Sequence, residues 1–344
     1  MIETIEQPVI DFYMYPPIGD DDWRYAFQTA KVRSLETQML SKAALLEMVN
    51  AERFESAADL LSATEYALPH GSRDFAEVEG VLQERRSAAR ELFAELMIDK
   101  PTAELFRTRD DFANLRLVLR RTLTDKPLGD DYNREGNVSP EIFPQVFEEE
   151  NYDLFPDYMT EVVEQAILAY YQNKDIREID YAIDKYQAGY NLKKARQLKS
   201  LFLIGLFRIQ IDLTNIRTML RLKFTESEQR NVFLEGGFIE LERLEKALDA
   251  GYESQGQLFF ALPYQRVVET GAGYLASDKS FLKIEQQCEE FLTGFLRTTE
   301  QITAGPQPVI AYLLMKENEI RNVRLILTAK KNSLDTKLIL DRVA

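Results

Sequence analysis

The sequence DFANLRLVLR at residues 111–120 recurs in two further places along the chain. The second copy is DLTNIRTMLR at residues 212–221, and the third is EIRNVRLILT at residues 319–328. All three share the pattern acid-x-x-Asn-aliphatic-Arg-x-x-Leu, and successive copies begin 101 and then 107 residues apart. This period is the length of a domain, whereas helical solenoids repeat every 20–45 residues or so. The spacing therefore predicts three similar modules in a row.

Two clusters of helix-breaking residues separate the copies. Pro127, Gly129 and Gly136 form the first cluster, and Gly236 with Gly237 forms the second after a polar stretch. Glycine and proline end helices because one lacks a side chain and the other lacks a backbone N–H group. We therefore predict modules at residues 1–125, 126–230 and 231–344.

Placed on a helix, each copy presents one continuous apolar stripe. At about 100° per residue, the first, fourth, seventh and eighth positions after the acid fall on one face. These positions hold Phe112, Leu115, Val118 and Leu119; Leu213, Ile216, Met219 and Leu220; and Ile320, Val323, Ile326 and Leu327. The acid lies within this stripe, where an unpaired carboxylate is costly to bury. Arg107, Arg208 and Lys316 stand about one turn earlier, and we expect them to pair with it.

The polar residues of the pattern are the candidate site residues. They are Asp111, Asn114, Arg116 and Arg120; Asp212, Asn215, Arg217 and Arg221; and Glu319, Asn322 and Arg324. A catalytic interpretation would make the acids general bases and the arginines oxyanion clamps. No nucleophile, metal ligand or phosphate loop recurs beside them. We favour a structural interpretation, in which the Asn and Arg side chains hydrogen-bond neighbouring helices or loops and fix their register.

The composition favours an all-helical protein without a nucleic-acid or membrane-spanning role. The 344 residues include only 15 Gly and 12 Pro, which favours long helices. With 42 basic and 57 acidic residues the net charge is −15, which repels a phosphate backbone. The densest basic run, Lys193, Lys194, Arg196 and Lys199, fits a solvated helix face or, alternatively, an RNA or lipid contact. No apolar run reaches the roughly 20 residues that a bilayer requires, and no signal peptide is evident.

Residues suited to catalysis or metal binding are scarce. The single cysteine, Cys288, excludes an intramolecular disulfide and fits a reducing compartment. One Cys and one His, His70, exclude a zinc site, and no Gly-rich nucleotide loop occurs. The acids at residues 130–135 resemble a calcium loop, but their register does not fit an EF-hand, and they are interpreted as a solvated linker. We expect no catalytic site, no cofactor and no metal.

Three passages carry a resemblance to a known family. They are YAFQTAKVRSLE at residues 25–36, IDLTNIRTMLR at residues 211–221 and EIRNVRLILTAKKN at residues 319–332. Together they resemble the C subunits of the bacterial and archaeal V-type (A-type) rotary ATPases and ATP synthases, which are similar to the d subunit of the eukaryotic V-ATPases. The resemblance covers essentially the whole chain.

The resemblance implies a funnel-shaped, all-helical protein whose three modules surround a pseudo-threefold axis. It also implies a non-catalytic rotor subunit of the central stalk, located on the cytoplasmic face as a peripheral part of the membrane complex. The implied partners are the D and F subunits of the central shaft and the membrane proteolipid ring, with proton or sodium transport linked to ATP hydrolysis or synthesis. No cofactor and no nucleic acid are implied.

Two other classes of protein fit the composition. A free-standing helical scaffold or adaptor could bind peptides in a concave groove, but it would repeat with a shorter period. An all-helical terpenoid synthase would need paired Asp-rich metal motifs, and the run Asp20 to Asp22 stands alone near the terminus.

Overall fold

The computed structural model describes residues 15–68 and 75–343, which form helices and connecting loops, with no β-strand among them. The predicted all-α class is therefore confirmed. In chain order the helices are α1 (Ala26–Glu36), α2 (Lys42–Asn50), α3 (Phe54–Asp59), α4 (Phe75–Leu96), α5 (Lys100–Leu123), α6 (Ile142–Glu148), α7 (Asp157–Asn173), α8 (Arg177–Gln197), α9 (Leu201–Phe224), α10 (Leu241–Asp249), α11 (Gln255–Leu258), α12 (Gln265–Asp278), α13 (Leu282–Arg297), α14 (Pro306–Lys331) and α15 (Thr336–Val343). Within the described residues, none of these helices combines the length and apolar character needed to cross a bilayer.

The described residues divide into two compact units. Residues 99–248 form one, here called the middle unit, and residues 15–98 with 249–343 form the other, here called the terminal unit. Each motif copy lies on a long helix: the first on α5, the second on α9 and the third on α14. The division into three modules with boundaries after residues 125 and 230 stays a prediction.

The predicted apolar stripe of each motif helix lies in the hydrophobic core. All twelve stripe residues, from Phe112 in α5 to Leu327 in α14, are at most 2% exposed. In the middle unit the stripe of α5 packs against buried residues of α6, α7 and α8, including Phe143, Met159 and Ile179. Burying a large apolar side chain stabilises the fold by about 1.5–3 kcal/mol, so this stripe is a major part of each core.

In the terminal unit the two ends of the chain share one core. Met48 and Phe54 from α2 and α3, together with Val78 and Leu82 from α4, are buried in one cluster with the stripe of α14. Helix α4 runs along α14, and α15 packs on α2. The terminal unit is therefore held together by contacts between residues far apart in sequence.

The boundary between α8 and α9 differs from its prediction. The spacing of apolar residues predicts a single helical stretch from Ile176 to Lys223, but the chain turns between α8 and α9. Lys199 adopts a left-handed backbone conformation with φ of 53°. The Ser200 hydroxyl then accepts a hydrogen bond from the backbone N–H of Leu203 and caps α9. The capping serine within an otherwise helical run was the available signal.

Two of the three aromatic residues around the start of α1 also differ from expectation. Trp23, Tyr25 and Phe27 are expected to pack the first helix, and Tyr25 is fully buried. Trp23 and Phe27 are instead 68% and 70% exposed. On a helical turn, side chains two residues apart point to different faces. Tyr25 therefore faces the core, whereas Trp23 and Phe27 share the other face.

Candidate functional site: three carboxylate and asparagine cradles

The acid and the asparagine of α5 together hold an extended segment of chain. The Asn114 side-chain amide donates to the carbonyl of Asn133 at 2.8 Å, and its Oδ1 accepts from the backbone N–H of Asn133 at 2.7 Å. Three residues earlier, Asp111 Oδ1 accepts from the backbone N–H of Val138 at 3.0 Å. Asp111, Asn114 and residues 133–138 are here called the first cradle.

Two side chains complete the contacts of Asp111. Its Oδ2 accepts from the Tyr158 hydroxyl at 2.8 Å and from the Asn137 side-chain amide at 3.0 Å. The carboxyl group is 0% exposed, so these donors replace the water that it loses on folding.

The second cradle repeats this geometry on α9. The Asn215 amide donates to the carbonyl of Leu234 at 2.8 Å and accepts from the backbone N–H of Leu234 at 2.8 Å. Asp212 accepts from the backbone N–H groups of Phe238 and Ile239 at 2.9 and 3.0 Å. In both cradles the asparagine binds the residue 19 positions later, and the acid binds the residue 27 positions later. The second cradle is thus Asp212, Asn215 and residues 234–239.

A glycine makes room for each aspartate. A Cβ atom placed on Gly136 would lie 2.2 Å from Asp111 Oδ1, and one on Gly237 would lie 2.1 Å from Asp212 Oδ1. These distances are far below van der Waals contact, so only glycine lets the backbone approach the buried carboxylate. Gly136 and Gly237, which the sequence marks as helix breakers, are therefore components of the cradles.

The third cradle, on α14, is built differently. Glu319 Oε2 accepts from the backbone N–H of Leu40 at 2.5 Å, and its Oε1 accepts from the Tyr66 hydroxyl at 2.5 Å. Lys316 Nζ lies 2.5 Å from Oε1 and also pairs with Glu65. The segment that the acid holds here leads into α2, at the opposite end of the chain. The third cradle comprises Glu319, Asn322, Lys316, Tyr66 and Leu40.

The cations that precede the acids have different roles in the three copies. The expected ion pair forms in the third cradle, between Lys316 and Glu319, whose side chains are only 3% and 4% exposed. In the second cradle Arg208 donates to the carbonyl of Gly237 at 2.8 Å and stacks 4.1 Å from the ring centre of Phe238. In the first cradle the partners of Asp111 are neutral donors, and Arg107 is not among them in the part of the chain described.

Motif arginines on α5 and α14 pair with acids on another long helix. Arg116 pairs with Asp184, and its Nε lies 3.3 Å from Asp180 Oδ1, while Arg120 also pairs with Asp180. On α14, Arg324 Nε lies 3.0 Å from both carboxylate oxygens of Glu79 on α4. These ion pairs are partly exposed, and each contributes up to about 1 kcal/mol.

The corresponding arginines on α9 occupy the same helix positions. Arg217 is half-buried, and Arg221 is exposed. Both arginines take part in interactions in the folded chain.

Burial controls the pKa of the acid in the first cradle. Removal from water raises the pKa of Asp111 above its ordinary value of 3.8, and the hydrogen bonds from Val138, Tyr158 and Asn137 oppose this shift only in part. Burial and the same carboxyl group also raise the pKa of Tyr158, which therefore stays protonated and acts as a donor.

The raised pKa of Asp111 makes a prediction for pH dependence. A carboxyl group with a raised folded-state pKa contributes stability that is complete below 3.8 and is lost as the pH rises through the folded-state value. The unfolding free energy of the wild type, minus that of Asp111→Asn, should therefore fall as the pH increases from about 3.8 towards neutrality. Urea unfolding of both proteins across this range measures the difference. A constant difference would contradict the raised pKa.

Sequence reasoning located the helix side of each cradle but missed the opposite side. Asn133 lies within the stretch interpreted as a solvated linker, yet it is bound by Asn114, and Asp131 of the same stretch pairs with Arg121 at 2.6 Å. Tyr158 and Tyr66 belong to no sequence motif. The glycine and asparagine content of residues 133–137 was the available signal for a chain segment that approaches another element closely.

The sequence singles out Cys288 and His70, and it predicts no metal site. Across residues 15–68 and 75–343, no group of three or more His, Cys, Asp or Glu side chains has an arrangement suited to a metal ion. Cys288 is buried on α13. His70, which the sequence places in a turn, lies outside the described residues.

Comparison with known proteins shows which family the chain belongs to. The family model described as ATP synthase (C/AC39) subunit matches residues 28–342, which include all three motif helices. The C subunit of the V-type sodium ATPase of Enterococcus hirae is 23% identical over 321 residues, covering 91% of this chain and 95% of that protein.

Two archaeal proteins are also similar to this chain. The C subunit of the A-type ATP synthase of Methanococcoides burtonii is 24% identical over 213 residues, covering 59% of each chain. That of Methanosphaera stadtmanae is 20% identical over 343 residues, covering 90% of this chain and 84% of its own. The resemblance seen in the sequence is thereby confirmed, and ion transport and ATP synthesis follow from the family. With the family model matched over most of its length, the chain belongs to the ATP synthase (C/AC39) subunit family, the C subunits of V-type and A-type rotary ATPases.

Proposed function

We propose that this protein is a non-catalytic rotor subunit of the central stalk, which couples the D and F shaft to the membrane proteolipid ring. On this proposal it lies on the cytoplasmic face of the membrane as a peripheral subunit. Its role is to carry rotation between shaft and ring, while ATP chemistry takes place elsewhere in the complex. Family membership is the observation that carries the proposal.

The cradles supply the mechanical property that this role requires. A coupling element must transmit torque without internal slippage, which requires densely packed helices whose register cannot shift. In the first and second cradles, buried carboxylates and amides bind backbone groups, and every bond would have to break for the helix to slide. A role in the stalk thus gives a reason why a buried polar arrangement, which is costly to desolvate, occurs in more than one core helix.

The order of the cradles supports three modules arranged around a pseudo-threefold axis. The first motif helix binds the segment that leads into α6, and the second binds the segment that leads into α10. The third binds Leu40, which leads into α2 near the start of the chain. With the proposed module boundaries, each motif helix would hold an early segment of the following module, in cyclic order. We propose that the funnel-shaped arrangement of the family rests on this cyclic order.

Reconstitution of the rotary complex tests the coupling role. Membrane vesicles that carry the ring and the catalytic subunits, with or without this protein, should be compared for ATP hydrolysis and for ATP-driven ion uptake. We expect hydrolysis to persist without the protein and ATP-driven uptake to be lost. Coupled uptake in vesicles that lack the protein would contradict the proposal.

Association with the partners provides a second readout of the same proposal. The net charge of −15 predicts that contacts with basic partner surfaces weaken as salt rises. The purified protein should therefore bind both the D subunit and the membrane ring at low salt and dissociate more readily at high salt. Failure to bind either partner at low salt would contradict the assignment.

A further inference from the structure

The asparagine of the third cradle has no hydrogen-bond partner among the described residues. Asn322 is 9% exposed, and its Oδ1 is buried without a donor. Its counterparts Asn114 and Asn215 each make two hydrogen bonds to one residue of an extended segment. The buried Oδ1 of Asn322 therefore lacks the backbone donor that its two counterparts have, which costs free energy on folding and leaves the position able to accept an external donor.

The path of the chain explains why Asn322 has no partner. In the first two cradles the bound residue lies five positions before the one whose N–H group reaches the acid, as Asn133 precedes Val138. In the third cradle that acid-bound residue is Leu40, and five positions earlier the chain is still in α1. The acid end of the third cradle is therefore filled, and the asparagine end is open.

A large cavity lies at this open end. Its volume is about 1030 Å³, and its wall includes Asn322, Glu319 and Leu40, all within the terminal unit. The remaining wall is mixed: apolar side chains such as Leu45, Leu262, Val267, Phe291 and Met315 stand beside charged and amide side chains, among them the paired Glu289 and Arg342. A volume of this size accommodates a short extended peptide.

We propose that the open end of the third cradle binds an extended segment of a partner chain through its backbone. In this complex, one residue of the segment would accept a hydrogen bond from the Asn322 amide and donate its N–H group to Asn322 Oδ1. The segment would be recognised through its main chain, because Asn133 and Leu234 are held by the same two backbone hydrogen bonds although their side chains differ. This inference goes beyond the coupling role and does not depend on it.

Peptide binding to the full-length protein tests the proposal directly. The probe is a fluorescein-labelled peptide with the sequence LEGGFIE, which copies residues 234–240 of this chain. Fluorescence anisotropy should show saturable binding to the wild type. Asn322→Leu should weaken binding by about tenfold or more, because two hydrogen bonds are lost and a peptide group is left unpaired.

A matched variant tests whether the effect is specific to the third cradle or follows from removing any side-chain amide whose buried oxygen lacks a donor. Asn191 on α8 in the middle unit also has a buried side-chain oxygen without a donor, and it does not line the cavity. Asn191→Leu should leave peptide binding unchanged. Absence of saturable binding to the wild type, or equal binding to wild type and Asn322→Leu, would overturn the proposal. So would binding that appears only after residues 1–14 are deleted, since the chain itself would then occupy the site.

Thermal unfolding gives a readout that does not require the peptide. Asn215→Leu should lower the melting temperature, because the backbone N–H and carbonyl of Leu234 lose their partner. Asn322→Leu should leave the melting temperature unchanged or raise it, since the amide makes no bond to lose. A decrease for Asn322→Leu as large as that for Asn215→Leu would show an internal partner and would overturn the proposal.

Discussion

Gly237→Ala is expected to destabilise the protein by about 3 kcal/mol, because the added methyl group collides with a buried carboxylate. The new Cβ would lie 2.1 Å from Asp212 Oδ1 and 2.9 Å from its Cγ. Asp212 cannot move aside without giving up its bonds to the backbone N–H groups of Phe238 and Ile239. For a unit of this size, the melting temperature should fall by about 6–12 °C, as measured by circular dichroism.

Gly189→Ala is the matched control for this substitution. Gly189 is exposed within α8, and a Cβ placed on it meets nothing within 4 Å. The change should stabilise the protein by about 0.5–1 kcal/mol, because alanine loses less backbone entropy on helix formation. Equal effects of the two substitutions would show that the second cradle does not require its glycine.

Glu319→Leu is expected to destabilise the terminal unit strongly, because it removes several buried contacts at once. It removes the acceptor of the Leu40 N–H group and the Tyr66 hydroxyl, and it leaves the buried Lys316 with Glu65 as its remaining carboxylate partner. Removal of one member of a buried ion pair costs about 3–5 kcal/mol. Chemical denaturation followed by circular dichroism measures the loss.

The double variant Lys316→Met with Glu319→Leu distinguishes charge burial from lost hydrogen bonds. If the loss of one of the two carboxylate partners of the buried ammonium group dominates, the second substitution should recover at least about half of the loss. If the double variant is as unstable as Glu319→Leu, the bonds to Leu40 and Tyr66 carry the stability instead.

The helix side of the fold could be predicted from the sequence because its signal is local. A period of 3.6 residues places Phe112, Leu115 and Val118 on one face, and the structure buries all three. The same period shows that the acid lies inside the stripe, so the need for a partner could be deduced. The all-α class followed from the scarcity of helix breakers.

The partners themselves could not be predicted, because they are mostly backbone groups. Asn215 and Asp212 bind the main chain of Leu234, Phe238 and Ile239, and a backbone N–H group leaves no mark on residue identity. Only the glycine beside the acid records the contact, and a glycine between helices is equally typical of an ordinary turn.

The third cradle was the hardest to predict because its partners are distant in sequence. Leu40 and Tyr66 lie 279 and 253 positions from Glu319. A sequence period indicates that segments are alike, but it does not indicate which segment another one binds.

The bond between Glu319 and Leu40 has a consequence for how the protein is made. Leu40 and the apolar face of α2 leave the ribosome early, but α14 is translated near the end of the chain. Translation adds about 5–20 residues per second, so α14 is synthesised roughly 13–55 s after Leu40. During that interval Met48 and Phe54 lack the stripe that buries them in the finished protein. A nascent chain that ends before α14 therefore keeps an exposed apolar surface near its N-terminus. Chaperones and proteases can recognise incomplete copies by this surface.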